Sequence, residues 1–299
     1  MQRRSICFLS LPMTLQEAYH FIRTTLMTLY DDRESANIAN LVMENITGHS
    51  RIDRLVHRQT TLTLLQQQQL ENYISRLGKN VPVQYVLQEA WFYNIPFYVN
   101  EHVLIPRPET EELVSWIIQD EKNKTETRPV RILDIGTGSG CIPVTLKKNL
   151  PSSEIHALDI SANALEVARK NADQQNTSIH FHTADILQLQ QESSLPLFDI
   201  IISNPPYIPV KEKAGMQKNV LDHEPHLALF VNDNDPLLFY RAISNFARHS
   251  LAKNGSIYLE LHEQMAQPVA GLFVSSGFPH TTLRKDMQGK DRMLRIDDG

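Results

Sequence analysis

Leu133-Asp134-Ile135-Gly136-Thr137-Gly138-Ser139-Gly140 follows an apolar run that begins at Val130 and precedes a helical pattern over residues 141–150. Three of the chain's 11 glycines fall in the last five of these positions, which marks backbone that must turn tightly and admit a ligand at close range. The spacing is Gly-x-Gly-x-Gly. It departs from the Gly-x-Gly-x-x-Gly dinucleotide fingerprint, and no Lys-Ser or Lys-Thr pair follows as in a P-loop. Strand, glycine turn and helix in this order predict a ligand-binding loop formed by Gly136, Thr137, Gly138, Ser139 and Gly140.

Downstream of this loop, apolar runs at residues 154–159, 179–184, 198–203 and 256–261 read as buried strands, with helical stretches such as 161–171 between them. That alternation is the signature of βαβ units around a mostly parallel sheet. The last runs, 281–285 and 292–296, lie close enough to form an antiparallel terminal pair. Upstream, residues 13–80 carry apolar side chains at helical spacing (Leu15, Ala18, Ile22, Leu26, then Ile38, Leu41, Val42, then Leu62, Leu65, Tyr73, Leu77), which predicts a small helical bundle. Between 81 and 105, Val83, Tyr85, Phe92, Tyr93, Phe97, Tyr98, Val103 and Leu104 predict short strands and a hairpin. A helix over 109–119 and a charged, exposed connection over 120–128 complete the plan. The fold class is therefore α/β, with residues 1–80 as a helical recognition domain, 81–108 as a linking hairpin and 109–299 as the ligand-binding domain.

Composition bounds the function. A chain of 299 residues that is 41% hydrophobic suits two globular domains. Two cysteines, Cys7 and Cys141, build neither a disulfide framework nor a four-thiolate zinc site, which favours a reducing compartment and a cytoplasmic location. The apolar patch after Arg3-Arg4 is too short and broken for a signal sequence, and no run spans a bilayer. The net charge of −5 supplies no general basic field for a nucleic-acid backbone.

Asp159 stands at the end of the second strand, 19 residues after Gly140, where a doubly wound sheet presents a carboxylate to a ribose. The same Asp can instead cap the helix that begins near Ser161. Asp185 and Ile186 end the third strand and offer one polar group and one apolar face to an adenine. The strongest signal is Asn204-Pro205-Pro206-Tyr207 after the fourth strand. Two prolines remove two backbone donors, so carbonyls and the Asn204 amide dominate. A planar NH₂ group fits such a site: the Asn204 oxygen and the Pro205 carbonyl each accept one N–H, and Tyr207 packs on its face.

Gly136–Gly140, Asp159 and Asn204–Tyr207, in that order, resemble the class I S-adenosylmethionine-dependent amino methyltransferases. Pro82-Val83-Gln84-Tyr85, Ile105-Pro106-Arg107-Pro108-Glu109-Thr110-Glu111, Glu224-Pro225 and Gly289-Lys290-Asp291-Arg292 are similar to the HemK-like peptide chain release factor glutamine methyltransferases, and the resemblance covers about residues 13–297. It departs at Gln88 and Asn94, where relatives often carry Gly, at Ile186, where an aromatic is common, and at His223, where a Tyr is common. Residues 1–12 precede the resemblance and read as either an extension or a misassigned start, so their deletion is expected to leave stability and turnover nearly unchanged.

The resemblance implies a Rossmann-like sheet and S-adenosyl-L-methionine held by Gly136, Thr137, Gly138, Ser139, Gly140, Asp159, Asp185, Ile186 and Asn204. It also implies methyl transfer to the side-chain amide of the glutamine in a release factor's Gly-Gly-Gln motif. Catalysis falls to Asn204, Pro205 and Tyr207, and substrate binding adds Pro206 and Arg107. No metal, nucleic-acid or membrane partner is required. A ribosomal-protein glutamine methyltransferase, an adenine-N6 methyltransferase and a binding protein that retains the cofactor are the competing readings.

Overall fold

The computed structural model describes residues 12–123, 128–189 and 195–297, so the expected extension at 1–11 and part of the 120–128 connection lie outside the described residues. The chain divides into two compact units, residues up to 88 with 218–223, and residues 89–217 with 224–299.

The first unit holds helices α1 (Leu15–Leu26), α2 (Asp32–Thr47), α3 (Arg51–Val56), α4 (Leu64–Leu77) and α5 (Val83–Leu87). Their starts are set by side chains. Thr14, Ser50 and Thr63 form capping boxes with Glu17, Asp53 and Gln66, which satisfy backbone N–H groups that no helical carbonyl reaches. Leu15, Ala18, Ile22 and Leu26 fall on one face of α1 and are buried against Ile38, Ala39, Val42 and Met43 of α2 and Leu70, Tyr73 and Leu77 of α4. The Gln66–Gln69 run sits within α4. Contrary to the strand expectation, Val83 and Tyr85 lie in helix α5. The Pro82 carbonyl accepts from Tyr85 N and Val86 N at 3.0 Å, and Arg76 donates to the carbonyls of Tyr85 and Val86, so a single turn is held at both ends.

In the second unit the hairpin shrinks to β1 (Ala90–Phe92) and β2 (Ile95–Phe97). Val103 and Leu104 stand outside strands. Tyr93 and Asn94 form its two-residue turn with φ of 53° and 57°, the left-handed pair that a type I′ hairpin requires. Gln88, at φ 58°, is also left-handed and ends α5. Both positions where relatives often carry Gly thus adopt the backbone that Gly favours.

Then follow α6 (Pro108–Lys122), β3 (Arg131–Ile135), α7 (Cys141–Asn149), β4 (Glu154–Asp159), α8 (Ala162–Gln174), β5 (His180–Thr183) and β6 (Phe198–Ser203). After β7 (Ile208–Pro209), α9 (Lys218–His223, in the first unit), α10 (His226–Leu229) and β8 (Phe230–Val231) come α11 (Leu238–Ser250), β9 (Leu251–Glu260), α12 (Ala266–Ser275), β10 (His280–Lys285) and β11 (Asp291–Asp297). The main sheet has the order β10-β11-β9-β6-β3-β4-β5. Its five strands from β9 to β5 are parallel, and β11 runs antiparallel between β9 and β10. The expected mostly parallel sheet with an antiparallel end is therefore present. From β3 the chain builds outward through β4 and β5, then returns to the other side of β3 as β6. Ligands of such sheets bind beyond the carboxyl ends at that reversal. Both faces are covered: Leu133, Leu158, Ile201 and Ile257 belong to one buried cluster, and Ile132, Ile155, Ile200 and Tyr258 to the other. Among the described residues no helix is long and apolar enough to cross a membrane.

Gly140 has φ +77°, and a Cβ built there would lie 3.0 Å from the Cβ and 3.1 Å from the Cα of Ala168 on α8. Gly140→Ala is expected to cost about 1–2 kcal/mol from left-handed strain alone, read as a lower midpoint in urea unfolding. An unchanged midpoint would show that the backbone at Gly140 leaves the left-handed region and that α7 and α8 part to admit a methyl group.

Candidate active site

A cavity of about 400 Å³ opens beyond the carboxyl ends of β3, β4, β5 and β6, within the size range of small-ligand sites. Gly136, Gly138, Asp159, Asp185, Ile186, Asn204, Pro205 and Pro206 line it. Thr137, Ser139, Gly140, Tyr207 and Arg107 do not line it.

The glycine loop is clasped from β4. Gly136 N and Thr137 N donate to the Leu158 carbonyl at 2.8 and 3.0 Å. Asp159 accepts from Gly138 N through Oδ2 and from Ser161 N through Oδ1, both at 2.9 Å. The helix N-cap is Ser161 itself, whose hydroxyl accepts from Ala164 N, so Asp159 holds the loop and leaves α8 to its neighbour. Burial raises the Asp159 carboxyl above its ordinary range, and the backbone N–H groups oppose that rise. A Cβ at Gly136 or Gly138 would meet no atom within 4 Å, so both glycines face open space. Ser139 is buried, and its carbonyl accepts from Asn171 on α8 at 2.8 Å. Asp185 accepts from Leu187 N and from Gln188 Nε2.

Asp134, one residue before the end of β3, is fully buried, and neither carboxylate oxygen has a hydrogen-bond partner among the described residues. In the sequence it stands in the 133–140 stretch with nothing to mark a role. Burial, helped by the charge of Asp159 and opposed by the Thr137 hydroxyl, pushes its carboxyl up to about 7. Between its unfolded and folded pKa values the native state holds a proton that the unfolded chain has released, so stability falls as pH rises toward about 7. Asp134→Asn is therefore expected to melt higher than the parent, with the advantage growing from pH 4 to pH 7 to roughly 4 kcal/mol at most. A pH-independent difference would mean that the acid is neutralised from elsewhere.

At the far wall, Asn204 Nδ2 donates to Thr110 Oγ1 at 3.1 Å, and Thr110 Oγ1 donates to Glu260 Oε2 at 2.6 Å. Tyr207 OH donates to Glu260 Oε1 at 3.0 Å. Burial, with Glu260 beside it, raises the Tyr207 phenol well above its ordinary value, so it remains a donor. Burial also raises the Glu260 carboxyl, while Thr110, Tyr207 and the charge of Arg292 pull it back. The chain of donors has a direction: the Thr110 proton goes to Glu260, so Thr110 has only lone pairs left for Asn204, and Asn204 must show it the NH₂. Its Oδ1 is thereby left as the acceptor. In the sequence Thr110 stands out only as part of the 105–111 motif, with no role of its own, and Glu260 not at all. Tyr207 is drawn to Glu260 and stands edge-on to His262, with ring centroids 6.1 Å apart.

Arg107 is the N-cap of α6 and pairs with the buried Glu224 at 2.7 Å, while the other Glu224 oxygen accepts from Ile105 N at 3.3 Å. The guanidinium thus fastens the segment whose Val103 and Leu104 line the cavity.

Residues 118–226 match the family described as methyltransferase small domain, and residues 17–87 match the PrmC N-terminal domain. Over 274 residues the chain is 43% identical to the release factor glutamine methyltransferase of Flavobacterium psychrophilum, with 91% of this chain and 94% of that protein aligned. The release factor glutamine methyltransferase of Bacteroides thetaiotaomicron is 39% identical, with 92% and 96% aligned. Among solved structures, the hMettl16 catalytic domain in complex with MAT2A 3′UTR hairpin 6 superposes with a TM-score of 0.51 at 15% identity, over 78% of this chain and 80% of that one. This last likeness is one of fold.

Proposed function

The chain belongs to the release factor glutamine methyltransferase family, and we propose that it methylates the side-chain amide nitrogen of the glutamine in the Gly-Gly-Gln motif of peptide chain release factors, using S-adenosyl-L-methionine. The observation that carries this reading is the oriented Asn204 amide at the cavity wall, with its NH₂ fixed on Thr110.

The cavity suits the cofactor by its own chemistry. Gly136 and Gly138 leave room where side chains would intrude. Asp159 has lone pairs beyond its two backbone contacts to offer ribose hydroxyls. Ile186 and Leu104 give an apolar wall, and Asp185 a polar group near an adenine amine. When bound, S-adenosyl-L-methionine supplies an electrophilic sulfonium methyl. Asp159→Asn keeps an acceptor but loses the charge, and cofactor affinity is expected to fall about tenfold, or ~1.4 kcal/mol. Equal affinity by calorimetry would remove Asp159 from the site.

An amide nitrogen is a weak nucleophile because its lone pair is shared with its carbonyl. Asn204 Oδ1 and the Pro205 carbonyl, by accepting its two hydrogens, turn that lone pair toward the incoming methyl. Positioning of this kind is worth roughly 7–11 kcal/mol in favourable cases. Tyr207 stays protonated and tied to Glu260, so it serves as a brace and leaves no base at the reacting atom. None is needed, because the proton becomes acidic only as the new bond forms, and the two accepting oxygens pass it to water.

Recognition of the release factor is assigned to the helical unit, where Ile52, Leu55, Val56, Leu64 and Leu65 are exposed, the kind of apolar surface that marks protein contact. We place the enzyme in the cytoplasm, where release factors work. Incubation with radiolabelled S-adenosyl-L-methionine and, in parallel, purified release factor, ribosomal protein and DNA tests the substrate. Label on the release-factor glutamine is expected. Label on ribosomal protein or DNA alone would replace this reading by one of its competitors.

A further inference from the structure

Strands β4 and β5 carry their ligand-facing residues at their carboxyl ends, and their first residues hold a cluster that methyl transfer does not use. Alternation along a strand puts Glu154 and His156 on one face of β4 and His180 and His182 on one face of β5. The parallel register sets His156 beside His180. One ligand atom from each of Glu154, His156 and His180 lies within 4.8 Å of the other two. His156 is buried, with its edge against the Phe198 ring, whereas His180 is exposed.

The hydrogen bonds arrange these groups as a ligand set. His156 Nε2 is 3.2 Å from Glu154 Oε1, while Glu154 Oε2 accepts from Arg131 Nε at 2.9 Å. His156 Nδ1 is 2.9 Å from His182 Nε2. These two rings are parallel within 2° with centroids 5.1 Å apart, so the nitrogens meet edge to edge and share one proton.

We propose that Glu154, His156 and His180 bind a divalent cation of the Zn²⁺ type, with His182 as the outer partner of His156. Two imidazoles and a carboxylate with a water in the fourth position form a set that zinc accepts, and the hard cations Mg²⁺ and Ca²⁺ prefer all-oxygen cages. The 3.2 Å between His156 Nε2 and Glu154 Oε1 is close to the ~3.3 Å edge of a tetrahedron with ligand bonds of about 2.0–2.1 Å. The exposed His180 ring closes the third corner by a rotamer change. Charge is conserved on the imidazoles. Without metal, His156 donates from Nε2 to Glu154 and accepts at Nδ1 from His182. With metal on Nε2, the His156 proton sits on Nδ1 and is donated to His182 Nε2, and the His182 proton moves to its own Nδ1. A metal-bound histidine whose second nitrogen is held in this way is the usual outer arrangement of such sites. The ion would tie the edge strand β5 to β4.

The test uses the full chain without a histidine tag, stripped with chelator and titrated with Zn²⁺ by calorimetry, with Mg²⁺ as control. One saturable Zn²⁺ per chain is expected. His180→Ala removes an exposed ring and should fold as the parent does; its affinity should be at least tenfold weaker. His182→Ala should lose about tenfold through the missing outer partner. Co²⁺ should give the intense visible absorption of a tetrahedral site in the parent and lose it in Glu154→Gln. No saturable uptake of micromolar Zn²⁺, equal affinity in the parent and His180→Ala, or Mg²⁺ binding as tightly as Zn²⁺ would each overturn the assignment.

Discussion

Asn204→Ala is expected to lower kcat about 10²–10³-fold, or roughly 2.7–4 kcal/mol, the size of losing one preorganised polar group at a reacting centre. S-adenosyl-L-methionine affinity should stay within about threefold, because the contacts assigned to the cofactor sit mainly on β3, β4 and β5. The comparison with Asn204→Asp separates the two ends of the amide. In the parent the NH₂ is spent on Thr110, and in the proposed mechanism the oxygen is the end that meets the substrate. The introduced carboxylate keeps the acceptor oxygen but must compete with Glu260 for the one Thr110 proton, so its activity should fall between that of the parent and that of the alanine variant. Single-turnover rates with saturating cofactor read this directly. A near-parental rate in Asn204→Ala would sink the mechanism while leaving family membership intact, and a rate for Asn204→Asp below that of the alanine variant would make the NH₂ a direct participant.

What could be read from the chain was what is contiguous in it. Strands 154–159 and 198–203 coincide with β4 and β6, because each is a short apolar run bounded by turn residues. The glycine loop, Asp159 and Asn204-Pro205-Pro206-Tyr207 are local motifs whose chemistry lies in neighbouring residues. α5 was misread because Val83 and Tyr85 alternate as strand residues do, while the deciding contacts come from Pro82 and from Arg76 on another helix. The same limit hid how the wall is joined. Thr110 meets Asn204 across 94 positions and Glu260 across 150, and Glu224 holds Ile105 across 119. Nothing in a buried Glu at the end of β9 announces which hydroxyls it will collect. Arg107 carries a commitment that the motif does not show: whatever it does toward a substrate, its head pairs with Glu224.

Those distant pairs make the wall a device for setting the direction of one amide, and Thr110 is its hinge. Thr110→Val keeps the shape of the side chain and removes the hydroxyl, so Glu260 loses a donor and the Asn204 NH₂ loses its acceptor. With neither end preferred, Asn204 is free to turn its NH₂ toward the substrate, where an amide donor would meet two more N–H donors and bind nothing. A lost hydrogen bond to a charged group, with a partner left unsatisfied, costs about 1–3 kcal/mol, and a ten- to hundredfold fall in kcat is expected, with cofactor affinity little changed. Thr110→Ser restores the hydroxyl without the methyl and should recover most of the rate. That rescue distinguishes orientation from packing. If Val and Ser lower kcat alike, the methyl contact matters and the donor chain does not; if Thr110→Val works as well as the parent, Asn204 takes its orientation from the substrate itself.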